Sequence, residues 1–319
     1  MVVFLYIIIL ENNKTMHKHK LITDKWVFIG LIGILLVLVS CGRFGNSENG
    51  KSSTRIVSVS KHVTELLFAL GQGDKLVAVD LSSTFPEQAK QLKTVGYHRA
   101  LSAESIISMR PDLVIHSNDI GPEGVNDQLI KAGVNVKIVG GANTIDSTYL
   151  LIKELGNYFK VDKEADSLLQ KMKSGIETAK IELNKHPILD TPSVMIIHFG
   201  RASNIYFVMS GRKGVGDKMI QLAGGKTSFY DAKGARQISA EAVATANPDI
   251  ILATDFGYDQ MGSMEKFIEG VSGVALTNAG KNKRIYRFEE HDLVYFGPRT
   301  GENIIKLIQL IHPSRVQKN

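Results

Sequence analysis

From Arg55 onward the chain alternates short runs of aliphatic and β-branched residues with amphipathic stretches. Arg55–Val59, Leu76–Asp80, Asp112–His116 and Val136–Val139 are such runs, bounded by turn signals, and this pattern predicts buried strands. Between them, His62–Leu70 (ended by Gly71), Ser102–Arg110 and a stretch from about Glu123 to Ala132 (closed by Gly133) read as helices. Strands and helices in alternation predict a parallel sheet with helices on both faces. Thr144–Lys185 is different: it lacks strand signals and reads as continuously helical. Its Leu168, Leu169, Met172, Ile176, Ala179 and Leu183 recur at three- and four-residue steps, the stripe of a helix that faces a core. A second α/β run then follows through Ser193–His198, Asp217–Ala223, Ser239–Asn247 and Asp249–Ala253, ending in a helix from about Gly301 to Ile311.

The two runs contain the same unit. Residues 102–115 read S-A-E-S-I-I-S-M-R-P-D-L-V-I and residues 239–252 read S-A-E-A-V-A-T-A-N-P-D-I-I-L, with five identities at an offset of 137. In each copy Ser-Ala-Glu opens a helix with an acid in its first turn, where the helix dipole favours it. Pro-Asp then stops the helix, and a strand follows. The expected fold class is therefore α/β, with two Rossmann-like lobes, each around a central parallel sheet, joined by one long α-helix. The expected boundaries are 55–143 for the N-terminal lobe, 144–187 for the linking helical region and 188–319 for the C-terminal lobe. A cleft between two lobes is a usual place for a ligand.

Composition changes little in this picture. With 44% hydrophobic and 22% charged residues the chain is globular, and its net charge of +6 falls to +4 without residues 1–40, which hold four Lys and two acids. The cations are scattered among acids, which argues against a nucleic-acid partner. The N-terminus adds more. Lys18, Lys20 and Lys25 precede a thirteen-residue apolar run, Val27–Val39, that ends in Leu38-Val39-Ser40-Cys41. This is the layout of a secretory signal and is too short to span a bilayer comfortably. Residues 1–40 are read as that signal, with 1–15 an extension ahead of a true start at Met16. The L-V-S-C segment resembles a bacterial lipobox, which makes Cys41, the sole cysteine, the expected lipidation site. Residues 41–54, rich in Gly, Asn, Ser and Lys, read as a flexible tether.

Four segments point further: Thr64-Glu65-Leu66-Leu67-Phe68-Ala69-Leu70-Gly71, Gly96-Tyr97-His98-Arg99-Ala100-Leu101-Ser102-Ala103-Glu104, Ala223-Gly224-Gly225 and Phe296-Gly297-Pro298-Arg299. Over roughly residues 54–312 the chain resembles the periplasmic haem-binding proteins of bacterial ABC haem importers, a branch of the helix-backbone substrate-binding proteins. The resemblance implies a non-enzymatic, monomeric carrier, and the expected partners are an ABC permease with its ATPase and, through the lipid, the membrane. Its cargo would be ferric haem b, with Tyr97 the axial ligand of the iron and Arg99 hydrogen-bonded to that phenol. Phenolate is a hard donor suited to Fe(III), and a neighbouring guanidinium favours the anion. Aligning the repeats places Arg236 opposite Arg99 and Gly234 opposite Tyr97, so Arg236 is a candidate partner for haem propionates. Arg212, in a Gly-rich basic turn, is a weaker one.

Several histidines are open to more than one role. His198 is either a hydrogen-bonded strand-end side chain or, by the resemblance, a ligand to a second stacked haem. His62 and His291 are candidates to reach the cleft, and His98 adjoins Tyr97 without being expected to share its iron. For docking, the resemblance implies an acid on the top of each lobe, assigned to Glu65 and, by the repeat offset, to Asp217. The alternatives are a corrinoid or ferric-siderophore cargo on the same fold and, more remotely, a tetrapyrrole metal chelatase. The Tyr97–Arg99 spacing argues against the first, and the lack of a His–Glu constellation at suitable spacing argues against the second.

Overall fold

The computed structural model describes residues 54–185, 191–200, 205–209, 214–229, 236–237 and 239–313. The expectations for the signal segment, Cys41, most of the tether and Arg212 lie outside them. In the N-terminal lobe, β1 (Ile56–Ser58), β2 (Leu76–Val79), β3 (Lys93–Thr94), β4 (Leu113–Ser117) and β5 (Val136–Val139) form one sheet in the order β3-β2-β1-β4-β5. Every pairing in it is parallel. Helices α1 (Lys61–Ala69), α2 (Ala103–Ser108) and α3 (Val125–Lys131) connect the strands. Gly71 (φ +70°) and Gly133 (φ +78°) follow α1 and α3 in the left-handed conformation that ends a helix without a Cβ clash.

The linking region departs from one continuous helix. It comprises α4 (Ile145–Phe159), opened by a Thr144–Ser147 capping box, and the 23-residue α5 (Asp162–Asn184). Between them Lys160 adopts left-handed backbone (φ +58°) and turns the chain. The α5 stripe packs as its spacing predicts, with Ala165, Leu169, Met172, Ile176 and Ala179 buried.

The C-terminal lobe runs β6 (Ser193–Gly200), β7 (Ile205–Met209), α6 (Val215–Leu222), β8 (Lys226–Thr227), β9 (Arg236–Gln237), α7 (Ala240–Ala246) and β10 (Ile250–Thr254). It continues with α8 (Asp255–Met261), α9 (Met264–Gly270), α10 (Asn278–Lys281), β11 (Ile285–Phe288), α11 (His291–Val294) and α12 (Thr300–Ile311). Its sheet order is β11-β10-β6-β7-β9, with β8 beside β6. The β11, β10 and β6 strands are parallel, as in the first lobe, whereas β7 runs antiparallel to both β6 and β9. This hairpin is absent from the sequence reading.

The repeated unit has a matching structural use in each lobe. Ser102 and Ser239 cap α2 and α7, accepting from Ser105 N (3.4 Å) and Ala242 N (3.2 Å). The Asp of each Pro-Asp accepts a hydrogen bond from the backbone at the start of its lobe's first strand: Arg55 N to Asp112 Oδ2 (2.8 Å) and Ser193 N to Asp249 Oδ2 (2.9 Å).

One apolar cluster is shared by both lobes and the linking helices; Leu66, Ile152, Met172, Ile196 and Ile304 all belong to it. Within it α12 crosses α5 so closely that a Cβ on Gly301 would lie 2.2 Å from the carbonyl carbon of Gly175. Among the described residues no helix is long and apolar enough to cross a membrane.

Candidate functional site

The N-terminal sheet reverses its winding between β1 and β4, and open α/β sheets bind ligands outside the carboxyl ends of their strands at such a point. A cleft of about 850 Å³ opens there. Every strand of the first lobe contributes to it from its carboxyl end: Lys61 and His62 after β1, Leu81 and Ser82 after β2, the Tyr97–Arg99 loop after β3, Asn118 and Asp119 after β4, and Gly140–Asn143 after β5. The second lobe closes the other side with His198 at the end of β6, Phe207 of β7, and Glu290, Val294 and Tyr295 beyond β11.

The Tyr97 loop is held by its backbone. Leu81 N donates to Gly96 O, Ala100 N to Tyr97 O, Gly121 N to His98 O and Leu101 N to Gly121 O, each at 2.8 Å. Gly121 is required by this packing, since a Cβ there would lie 2.9 Å from Arg99 O. Tyr97 is half-buried in the cleft wall and Arg99 is exposed. Both residues line the cleft. His98 between them turns inward and is only 8% exposed. Its Nδ1 faces Asp80 Oδ2 at 3.5 Å.

The cleft floor carries charge that the sequence reading does not identify. Lys61 Nζ meets Glu290 Oε1 at 2.6 Å and stands 5.4 Å above the Tyr295 ring, joining the first lobe to the second. Burial works to raise the Glu290 carboxyl, but Lys61 and then His198 outweigh it and hold the group below the usual carboxylate range. His62 lines the same floor and is pushed down to about 4, chiefly by burial, with Asp119 acting in the opposite sense. Its Nε2 and the hydroxyl of Tyr295 are buried without a protein partner. His198 lines the cleft too, with Nδ1 3.2 Å from Thr254 Oγ1. No group of three or more His, Cys, Asp or Glu side chains is arranged to hold a bare metal ion among the described residues.

Three expectations require correction. Glu65 is not an exposed docking acid: it is 4% exposed, and its carboxylate meets His291 Nε2 (2.5 Å) and Arg299 Nε (3.0 Å) from the other lobe. Burial alone would raise the Glu65 carboxyl, yet His291 and Arg299 hold it low. Asp217 is likewise enclosed, 8% exposed, and accepts from Thr227 Oγ1 at 2.7 Å. His291 turns away from the cleft into this interlobe network, which Asp292 completes at 2.5 Å from Arg299 Nη2. The network joins two of the segments singled out in the sequence, Thr64–Gly71 and Phe296–Arg299, and so gives both a structural reason. Arg236 pairs through its backbone in β9 opposite Val208, and its side chain lies outside the described residues.

Comparison with known proteins places these features in context. The family model described as periplasmic binding protein matches residues 56–291. An uncharacterized ABC transporter substrate-binding lipoprotein of Bacillus subtilis, YvrC, is 30% identical over 265 residues, covering 82% of this chain and 81% of the relative. A vitamin B12-binding protein of Yersinia pestis is 27% identical over 205 residues, covering 64% and 70%. Among solved structures, the periplasmic heme-binding protein RhuT from Roseiflexus, in apo form, superposes with a TM-score of 0.74 at 32% identity, covering 83% of this chain and all of that one.

Proposed function

The chain belongs to the periplasmic binding protein family, and on that premise we propose that it captures ferric haem outside the cytoplasm and hands it to an ABC permease. The family is one of substrate carriers rather than enzymes, so its work is reversible coordination. The observation that carries the haem reading is the placement of Tyr97 and Arg99, on one backbone-fixed loop, in the wall of an interlobe cleft. A lone phenol suits an iron whose equatorial positions a macrocycle already fills. A guanidinium brought to it by Arg99, two residues along, would favour the phenolate without itself deprotonating. Similarity to a protein described as heme-binding supports the same cargo.

Other residues have supporting roles in this reading. His198, on the opposite wall, would meet the second face of the haem or a second haem stacked on the first. His62 and Tyr295 supply unpartnered polar atoms at the floor, and Arg236 is assigned to a propionate. Attachment to the membrane through lipidated Cys41 and action as a monomer belong to the same proposal. Docking is reassigned to Glu104 and Glu241. They are exposed, open α2 and α7, and occupy equivalent positions of the repeated unit, so they offer a permease one carboxylate per lobe.

Hemin titration tests the cargo directly. The wild-type chain is expected to give a ferric–tyrosinate charge-transfer band that Tyr97→Ala abolishes; unchanged hemin binding by Tyr97→Ala would remove Tyr97 as the ligand. A corrinoid is the second reading, favoured by the similarity to a vitamin B12-binding protein. Tight cobalamin binding without hemin binding would establish it instead.

A further inference from the structure

Tyr97, the proposed iron ligand of the first lobe, sits on a loop whose backbone bonds fix the main chain and leave the ring to its neighbours. The ring's nearest described aromatic neighbour is His98, with centroids 4.5 Å apart and planes at 64°. Where Tyr97 is half-buried and Arg99 exposed, His98 is 8% exposed, so the loop drives one imidazole inward beneath its tyrosine. There the imidazole meets a polar pocket. Nδ1 lies 3.3 Å from Ser82 Oγ and 3.5 Å from Asp80 Oδ2, and Nε2 lies 4.0 Å from Asp119 Oδ2.

Asp80 is wholly buried and itself anchored. Ser82 donates to it from its backbone N–H (2.9 Å) and its hydroxyl, and Ser83 Oγ donates at 2.5 Å. Ser83 Oγ in turn bonds Thr64 Oγ1 of α1 (2.9 Å), which donates to Ser58 Oγ of β1 (2.8 Å). A chain of polar contacts thus runs from the central strand and first helix, through a buried carboxylate, to the imidazole that packs against Tyr97. Burying an acid and an imidazole in a place that apolar side chains could fill is costly to stability. Such groups commonly orient a metal ligand from behind, and losing one typically costs about 10–100-fold in affinity.

We propose that His98, held through Nδ1 by Asp80, is the positioning residue of Tyr97 and fixes the plane in which its phenol presents oxygen to the cleft. The proposal rests on the reading of Tyr97 as the iron ligand, and its test separates the two. The variants are His98→Phe, which keeps a ring against Tyr97 but cuts the polar link, Asp80→Asn, which keeps the shape of the anchor, and their double. His98→Gln serves if either single variant fails to fold by circular dichroism. Hemin dissociation to a scavenger is expected to quicken about 10–100-fold in each single variant. The tyrosinate charge-transfer band should shift, and the double should be no worse than the more severe single, because both cut one link. Wild-type rate and band in His98→Phe, or single effects that multiply in the double, would overturn the proposal.

A second readout needs no haem. In apo protein labelled with fluorotyrosine, the Tyr97 resonance, assigned through Tyr97→Phe, should be one narrow line that broadens or splits in His98→Phe and Asp80→Asn. An unaltered line overturns the positioning role. If wild-type protein binds no hemin while the line responds as expected, the haem reading fails and the positioning of Tyr97 stands.

Discussion

A histidine enclosed beside a lysine and a second histidine takes up a proton with difficulty, and His62 makes stability depend on pH. Its folded value is about 4 against 6.5 when exposed. Over that interval the unfolded chain binds the proton and the folded chain does not, so acid favours unfolding. Denaturation in urea should show stability flat above pH 6.5 and falling by roughly 3 kcal/mol between pH 6.5 and 4. The carboxylates Glu65, Asp80 and Glu290 act in a lower window, because their folded values lie below the ordinary carboxylate range and their contribution is lost as pH falls through them. His62→Phe should therefore flatten the upper window and leave the acid limb; a slope unchanged in His62→Phe would assign it elsewhere. At this scale the sequence is informative where function is local. Tyr97 and Arg99 stand two residues apart on one loop, and both line the cleft. Lys61 and Glu290 are separated by 229 residues, Glu65 and Arg299 by 234, and no local pattern pairs them.

Among the elements, α5 and α12 cross closely, and the two glycines at the crossing are not equivalent. A Cβ on Gly301 would strike the Gly175 carbonyl carbon at 2.2 Å, whereas one on Gly175 would meet only the Gly301 Cα at an ordinary 3.7 Å. Gly301→Ala is expected to cost about 1–3 kcal/mol through overpacking. Gly175→Ala should be neutral or stabilise by up to about 1 kcal/mol through helix propensity. Equal effects of the two variants on the urea midpoint would contradict the crossing as described. Apart from the two-residue β3, which no apolar run announces, the helices and strands of the first lobe are legible to within about two residues, because their limits are marked by Gly71, Gly133 and the Pro-Asp pair. The linking region lacks such punctuation. Lys160 takes the left-handed turn usually given to Gly or Asn, so nothing in Phe159-Lys160-Val161 announces that α4 has ended. The β7 strand is missed for another reason: reading the second lobe as a plain repeat of the first leaves no place for an antiparallel insertion.

Over the whole molecule, the two lobes meet along a seam of charge and backbone. Besides Lys61–Glu290 and the Glu65 network, Phe296 N donates to Ala142 O (3.0 Å), and Thr148 Oγ1 of the linking α4 donates to Phe296 O (3.2 Å). The docking proposed for Glu104 and Glu241 concerns the outside of this assembly. Glu104→Lys with Glu241→Lys should abolish haem-dependent growth through the permease while leaving hemin affinity within about twofold, since exposed charges remote from a ligand contribute little to its binding. Equal loss of uptake and of hemin affinity would place those acids in the cargo site instead. The twofold internal repeat was legible because each copy reuses Ser and Asp for the same bonds and Pro to stop the helix; the seam was not, because it joins parts of the chain that share no motif. The seam also limits how such a molecule can be re-engineered. With one apolar cluster common to both halves, and with Glu65 met by His291 and Arg299 of the opposite half, a hybrid assembled from unrelated halves would inherit a stranded carboxylate and mismatched packing. New cargo is reached more readily by rewriting the strand-end loops around the groove than by exchanging one half for another.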